Sequence, residues 1–209
     1  MGSEDETTIE SDNRDIEDAV SDKIKRDSAN SKRSIGRELL GNIAYILVII
    51  LLTFLAVQFL GQRTQVKGSS METTLSNNDN LIVDKISYRF RDPERYDIIV
   101  FPYQYKEDTF YIKRIIGLPG ETIQIVDGVI YIDGEVLEED YGREVMNTSG
   151  RAAEPITLAT DEYFVLGDNR NESADSRETG VGNIKRENII GRAWLRIWPL
   201  NKFGILKHQ

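Results

Sequence analysis

The chain has 209 residues, with 26 Lys and Arg against 35 Asp and Glu, one histidine and no cysteine. That length holds one domain of ordinary size plus attachments, and the missing cysteine excludes disulfides, thiolate metal sites and cysteine nucleophiles. A net charge of -9 speaks against nucleic acid as a partner, because phosphate binding is led by clusters of Lys and Arg.

The charge is unevenly spread. Residues 1–22 carry nine acidic side chains (Glu4, Asp5, Glu6, Glu10, Asp12, Asp15, Glu17, Asp18, Asp22) against Arg14 alone. Such a segment repels itself and cannot bury a core, so it reads as disordered. The sign then reverses with Lys23, Lys25, Arg26, Lys32, Arg33 and Arg37. Residues 1–40 are therefore expected to form a largely disordered tail, acidic then basic.

Residues 43–60 contain no charge, and Asn42 and Gln58 lie near the ends of the run. A helix needs roughly 20 apolar residues to cross the ~30 Å hydrocarbon core, so residues 41–60 are expected to form one transmembrane signal anchor. No polar face marks the run as a buried helix of a soluble domain, and no Ala-x-Ala follows it as in a cleaved secretory peptide. The basic cluster precedes the segment, and only Arg63 and Lys67 follow it closely. By the positive-inside rule the N-terminus faces the cytoplasm and residues 61–209 lie outside the membrane.

From Gln62 onward the pattern is that of strands. Short β-branched or aromatic runs begin at Leu81, Asp97, Phe110 and Glu121, separated by clusters of Asn, Asp, Pro and Gly. Asp127-Gly128 sits between two such runs as a hairpin signal. Residues 138–160 lack a pattern and read as an exposed connection. Strand character resumes at Glu162 and again at Ile189, and no amphipathic helix longer than about three turns follows the anchor. The expected class is mostly β, a barrel or sandwich.

With His208 the only histidine and cysteine absent, nucleophilic chemistry must use a hydroxyl, with lysine or a carboxylate as base. Ser70 stands in the tight segment Gly68-Ser69-Ser70-Met71, which suits an exposed nucleophile and equally a solvated or capping serine. Lys113 stands in Phe110-Tyr111-Ile112-Lys113-Arg114-Ile115-Ile116. Alternation puts Tyr111, Lys113 and Ile115 on one face and Ile112, Arg114 and Ile116 on the other, so one of the two cations is expected to face the interior. Lys113 is either a snorkelling side chain whose amine reaches water or a desolvated amine. A free lysine, at pKa ~10.4, is useless as a base near neutrality. A downward shift of ~3 units, worth ~4 kcal/mol, is within what burial achieves. Lysine beside serine is a known nucleophile–base pair. The third run, Gly167 to Arg177, is either a polar turn or a buttress in which Ser173 accepts a hydrogen bond from the lysine amine and Asp175 pairs with Arg177.

Together these segments resemble the bacterial type I signal peptidases, over most of residues 37–205. The nucleophile box is matched by Gly68-Ser69-Ser70-Met71-Glu72-Thr73-Thr74-Leu75, the next by Tyr96-Asp97-Ile98-Ile99-Val100-Phe101, and the lysine box by Tyr111 to Gly120. The last box is matched by Gly167-Asp168-Asn169-Arg170 with Ser173, Asp175, Ser176 and Arg177 in place. All four in order behind one anchor make the resemblance specific, and to the Gram-positive type.

The resemblance implies a membrane-bound serine endopeptidase that removes N-terminal signal peptides from exported preproteins without metal or organic cofactor. Ser70 would be the nucleophile and Lys113 the general base. Ser173, Asp175, Arg177 and Asp168 would support the site. The Ser70 backbone N–H would line the oxyanion hole, with Gly68 where some relatives carry a serine donor. Thr73 stands where the family usually has proline. The catalytic β domain would carry a small β insertion at roughly residues 122–160. An extended substrate would pair near Gln65, Val66, Lys67, Asp108, Thr109 and Phe110. The lipid bilayer would be a further partner.

Competing readings predict other features. A non-enzymatic anchored β module leaves the Ser70–Lys113 pairing a coincidence. A self-cleaving repressor-type Ser/Lys protease would need an N-terminal DNA-binding domain. A penicillin-recognising enzyme would need a serine three residues before a lysine, and none stands so here.

Overall fold

The computed structural model describes residues 41–53 and 61–207. The chain divides into two units, Met1–Leu55 and Ala56–Gln209. In the first, residues 41–53 form a helix with every side chain exposed. Among the described residues no helix is long and apolar enough to cross a membrane. Residues 54–60, the remainder of the expected span, lie outside the described residues, as do the tail 1–40 and His208.

The second unit is built from two antiparallel sheets. Their strands are β1 (Gly61–Gln65), β2 (Asn80–Asp84), β3 (Ile98–Pro102), β4 (Phe110–Gly117), β5 (Thr122–Val126), β6 (Val129–Ile132), β7 (Glu135–Val136), β8 (Ile156–Thr157), β9 (Glu162–Leu166), β10 (Ile184–Lys185), β11 (Gly191–Trp198) and β12 (Gly204–Ile205). The larger sheet runs β1-β2-β11-β3-β4-β9-β10, with β12 paired to β11. The smaller runs β7-β6-β5-β8. Within the second unit the only helices among the described residues are short 3-10 turns.

Three apolar clusters explain the arrangement. The first joins Val66, Leu81, Val83, Val100, Ile112 and Ala193, so strands β2, β11, β3 and β4 and the end of β1 share one core. In a flat sheet with strands about 4.8 Å apart, β1 and β4 would stand about 19 Å apart. Curling round this cluster brings their outer edges to opposite sides of one cleft. The second covers the other side of β3 and β4 with Ile99, Phe101, Ile115, Tyr163 and Val165. The third seats the smaller sheet, through Ile116, Ile123, Ile125, Ile130, Phe164 and Leu166.

Cover on both faces is why β3 and β4 read as nearly continuous apolar runs rather than as clean alternation. It also overturns the expectation that only one of Lys113 and Arg114 turns inward. Both are buried, at 4% and 0% exposure.

The Asp127-Gly128 hairpin forms as read. Val126 pairs with Val129, and both turn residues have positive φ, 50° and 80°, the combination a two-residue type I′ turn requires. The segment 138–160 departs from its reading as an exposed connection. Met146, Ala152 and Leu158 are buried in the cluster beneath the smaller sheet, and Ile156–Thr157 pairs with β5. These anchors are single residues at irregular spacing, so no period betrays them. Trp194, Trp198 and Phe203 are 42%, 53% and 61% exposed.

Candidate active site

The turn bearing Ser70 follows β1 and is pinned from three sides. Its own backbone closes it, with Glu72 N–H donating to Ser69 O at 3.0 Å and Leu75 N–H to Met71 O at 2.7 Å. Met71 and Leu75 are buried, which anchors the turn in the first apolar cluster. Asn169 reaches over from the loop after β9. Its N–H donates to Ser70 O at 3.1 Å and its side-chain amide to Ser69 O at 3.2 Å. From behind, Arg196 on β11 donates to Thr74 O at 2.9 Å and to Asp79 Oδ2 at 3.0 Å. Gly68 has φ +96° with open space where a Cβ would stand. A serine there would meet no clash but would hold a backbone conformation disfavoured by about 1–2 kcal/mol.

Lys113 projects from β4 towards this turn. Its Nζ lies 2.8 Å from Ser70 Oγ and 3.0 Å from Ile112 O, with the Tyr111 ring centroid 5.0 Å away. An ammonium offers three donors and no acceptor. Only these two oxygens take a hydrogen bond from it among the described residues, so a protonated amine here has an N–H with no protein partner. A neutral amine can donate to Ile112 O and accept the Ser70 hydroxyl proton, and it too keeps one N–H without a protein partner, so the count of partners does not choose between the forms. Burial does, and it favours the neutral amine. Desolvation lowers the Lys113 pKa to about 8, against the opposing pull of Asp175, Asp168 and Glu178. At neutral pH roughly a tenth of the amine is then uncharged, compared with fewer than one in a thousand for a free lysine.

The neighbouring cation is held by its charge. Arg114 donates to both oxygens of Asp168, Nε to Oδ1 at 2.9 Å and Nη2 to Oδ2 at 2.7 Å, with both side chains wholly buried. It also reaches Tyr96 O at 3.0 Å and Thr74 Oγ at 3.2 Å, and stacks 3.6 Å over the Tyr141 ring. Pairing with a carboxylate and further hydrogen bonds offsets the cost of burying a guanidinium. Adjacent positions on one strand thus hold opposite solutions to burial. The arginine is matched with a carboxylate, and the lysine is left without one.

The loop 167–177 is a buttress. Asp175 and Arg177 pair at 2.8 Å through both oxygens. Asp175 Oδ2 also accepts the Gly167 N–H at 3.1 Å, and Arg177 reaches Arg170 O and Thr148 O. Arg170 in turn donates to Gly167 O at 3.0 Å and pairs with Glu139 at 2.7 Å. A Cβ at Gly167 would stand 2.4 Å from Ser70 O and 2.2 Å from Ser173 Oγ, so only glycine allows this approach. The expected bond from Lys113 to Ser173 is not formed. The Ser173 hydroxyl is buried without a partner, packed against Gly167.

A cleft of about 680 Å³ opens in front of the pair, lined by Thr64–Met71 on one side and Asp108–Lys113 on the other. Gln65, Val66, Lys67, Asp108, Thr109 and Phe110 all lie along it, with Lys106, Glu172 and Ala174. Val66 contributes backbone only, since its side chain is in the core and its N–H and C=O bond to Asp79 and Asn78. The outer edge of β1 has no strand partner, and β9 pairs with β4 only from Arg114 onward. The Ser70 N–H has no acceptor among the described residues. It remains available to an oxygen placed in the cleft.

Sequence reasoning missed Asn169, Thr74, Asp79 and Arg196. Asn169 and Thr74 stood inside recognised runs but had no role assigned. Asp79 and Arg196 act through distant partners, and nothing local in the sequence announces them.

A family model described as signal peptidase, peptidase S26, matches residues 39–198. Probable signal peptidase I-2 of Synechocystis sp. is 42% identical over 168 residues, which is 78% of this chain and 72% of that protein. Signal peptidase I of Leptolyngbya laminosa is 43% identical over 155 residues, 71% of this chain and 74% of that protein. Signal peptidase I P of Bacillus subtilis subsp. natto is 37% identical over 168 residues, 77% and 89% of the two chains. The crystal structure of a signal peptidase I from Enterococcus faecalis V583 is 35% identical and superposes with a TM-score of 0.41, over 49% of this chain and 97% of that one. The family match spans well over half the chain and these relatives are similar along most of their length; the chain therefore belongs to the signal peptidase family, peptidase S26, as a type I signal peptidase and so a hydrolase.

Proposed function

We propose that this protein is a membrane-bound serine endopeptidase that cleaves N-terminal signal peptides from exported preproteins, with Ser70 as nucleophile and Lys113 as general base. The observation that supports this most strongly is the 2.8 Å contact between a buried lysine amine and the Ser70 hydroxyl.

The reaction runs in two acyl transfers. Neutral Lys113 takes the Ser70 proton as Oγ attacks the scissile carbonyl, and the oxyanion is met by the Ser70 N–H. The ammonium of Lys113 then returns its proton to the leaving amine as the C–N bond breaks. The neutral lysine next draws a proton from water as its oxygen attacks the acyl-enzyme, and returns that proton to Ser70 Oγ as the ester C–O bond breaks. Ile112 O holds the amine in line throughout. Asp168, Asp175 and Arg177 fix the walls: Asp168 through Arg114 beside the lysine, and the Asp175–Arg177 pair through Gly167 beneath Ser70.

The substrate lies extended in the cleft, bonding to the open edges of β1 and β4 near Gln65, Lys67 and Asp108–Phe110. Residues 41–60 anchor the protein in the bilayer with the N-terminus cytoplasmic and the catalytic unit outside. The exposed Trp194 and Trp198 suit an interface where one end of a ring is apolar and the other wet, and the exposed Phe203 offers a purely apolar ring. Sharing a membrane with the substrate raises their effective concentration.

The test uses the full chain in detergent with a preprotein whose mature end is read by mass spectrometry. Cleavage at one junction is expected, lost in Ser70→Ala, Lys113→Ala and Lys113→Arg. Undiminished cleavage by Ser70→Ala would refute the proposal.

A further inference from the structure

The cleft does not end at Phe110. Thr64 and Phe110 line it and also line a second pocket of about 130 Å³, whose other walls are Gln62, Arg63, Val83, Val100 and Ile190. The floor is apolar, because Val83 and Val100 belong to the first cluster and Ile190 packs against it. The rim carries one charge, the exposed Arg63, which donates to the neutral Asn80 Oδ1 at 3.0 and 3.2 Å and keeps its positive charge.

The strand directions relate this pocket to the reacting bond. The pairings β1–β2, β2–β11, β11–β3 and β3–β4 are all antiparallel, so β1 and β4 run the same way. Both lead from the second pocket towards Ser70 and Lys113. Phe110 lies three positions before Lys113 on β4, about 10 Å at 3.3 Å per residue. In an extended peptide the first, third and fifth residues before the scissile bond point to one face, and the fifth stands about 13 Å from the first. A signal peptide presents small residues at the first and third of these positions, with its apolar run N-terminal to them. A peptide parallel to β1 and β4 therefore sets its small residues over the floor near Ser70. Its fifth residue stands over the second pocket.

We infer that this pocket is a subsite for an apolar side chain at the fifth residue before the scissile bond. It rests on the signal-peptide cleavage proposed above and adds a determinant of which junctions are cut. The apolar floor of Val83, Val100 and Ile190 fits a leucine-sized group.

The test measures kcat/KM of the full chain in detergent on preprotein-derived peptides that differ only at that residue. Leu is expected to exceed Ala by about tenfold or more, the range one apolar side chain in a pocket supplies. Ile190→Phe, which fills the pocket and leaves the backbone bond from Ile190 N–H to Val100 O in place, is expected to bring the Leu-to-Ala ratio near one. Thr64→Phe does the same from the rim should the first variant fold poorly. Equal rates for Leu and Ala in the unaltered protein, with cleavage still abolished by Ser70→Ala, would overturn the subsite alone. A Leu preference that survives both fillings would also overturn it. Cleavage that does not depend on Ser70 would instead remove the reading beneath it.

Discussion

Replacing Lys113 with methionine separates the energetics of the buried amine from its chemistry. The folded-state pKa is about 8 against an ordinary 10.5. Between those values the unfolded chain holds a proton that the folded chain has released. The unfolded state thus binds more protons, and stability rises with pH across the window. Below it, both states are protonated and the full cost of burying the ammonium is present. The shift of 10.5 - 8 = 2.5 units corresponds to about 3 kcal/mol at 1.36 kcal/mol per unit. Lys113→Met has nearly the same length, fills the same space and carries no proton. Its loss of the bonds to Ser70 Oγ and Ile112 O adds a term that does not change with pH. The readout is the difference in unfolding free energy between the two proteins, by denaturant titration of the full chain at about pH 7 and again near pH 10.5. The variant is expected to gain about 3 kcal/mol relative to the parent at the lower pH compared with the higher, while its cleavage activity is absent. A difference that stays constant across this range would refute the desolvated-lysine reasoning, whatever happened to activity.

Asp168→Asn leaves the wholly buried Arg114 without its carboxylate, and breaking one partner of such a pair costs about 3–5 kcal/mol. A correspondingly lower unfolding midpoint is expected. An unchanged midpoint would mean that the guanidinium finds another partner. Gly167→Ala drives a methyl into Ser70 O, a backbone atom that cannot rotate away. The expected result is a loss of about 1–3 kcal/mol in stability and a fall in kcat larger than any change in KM. Normal kcat in that variant would show that the loop and the nucleophile turn move independently.

The meeting of Ser70 with Lys113 and the Asp175–Arg177 pair were legible because each residue sits inside a compact run whose chemistry makes sense locally. The same holds for the Asp127-Gly128 hairpin, where two neighbouring residues settle the turn. What escaped was set by distant partners. Nothing near Arg114 says that Asp168, 54 positions on, will bury it. Nothing near Thr74 says that Arg196 will hold its carbonyl. The buried residues of 138–160 were invisible for a related reason: Met146 and Leu158 sink into the core from an irregular backbone that shows neither helical nor strand period. Ser173 illustrates the reverse. Its place in a recognised run suggested a bond to the amine, but in the fold its hydroxyl packs against Gly167 and the backbone carbonyl Ile112 O takes that place.

Dependence of kcat/KM on pH tests the central claim most directly. If an uncharged Lys113 removes the Ser70 proton, the rate on a preprotein peptide should rise tenfold per unit at low pH, bend once near 8 and level off above about 9. A rate that is flat from about pH 6 to 10, or that bends near the ordinary carboxylate range, would contradict it and give the base role to another group.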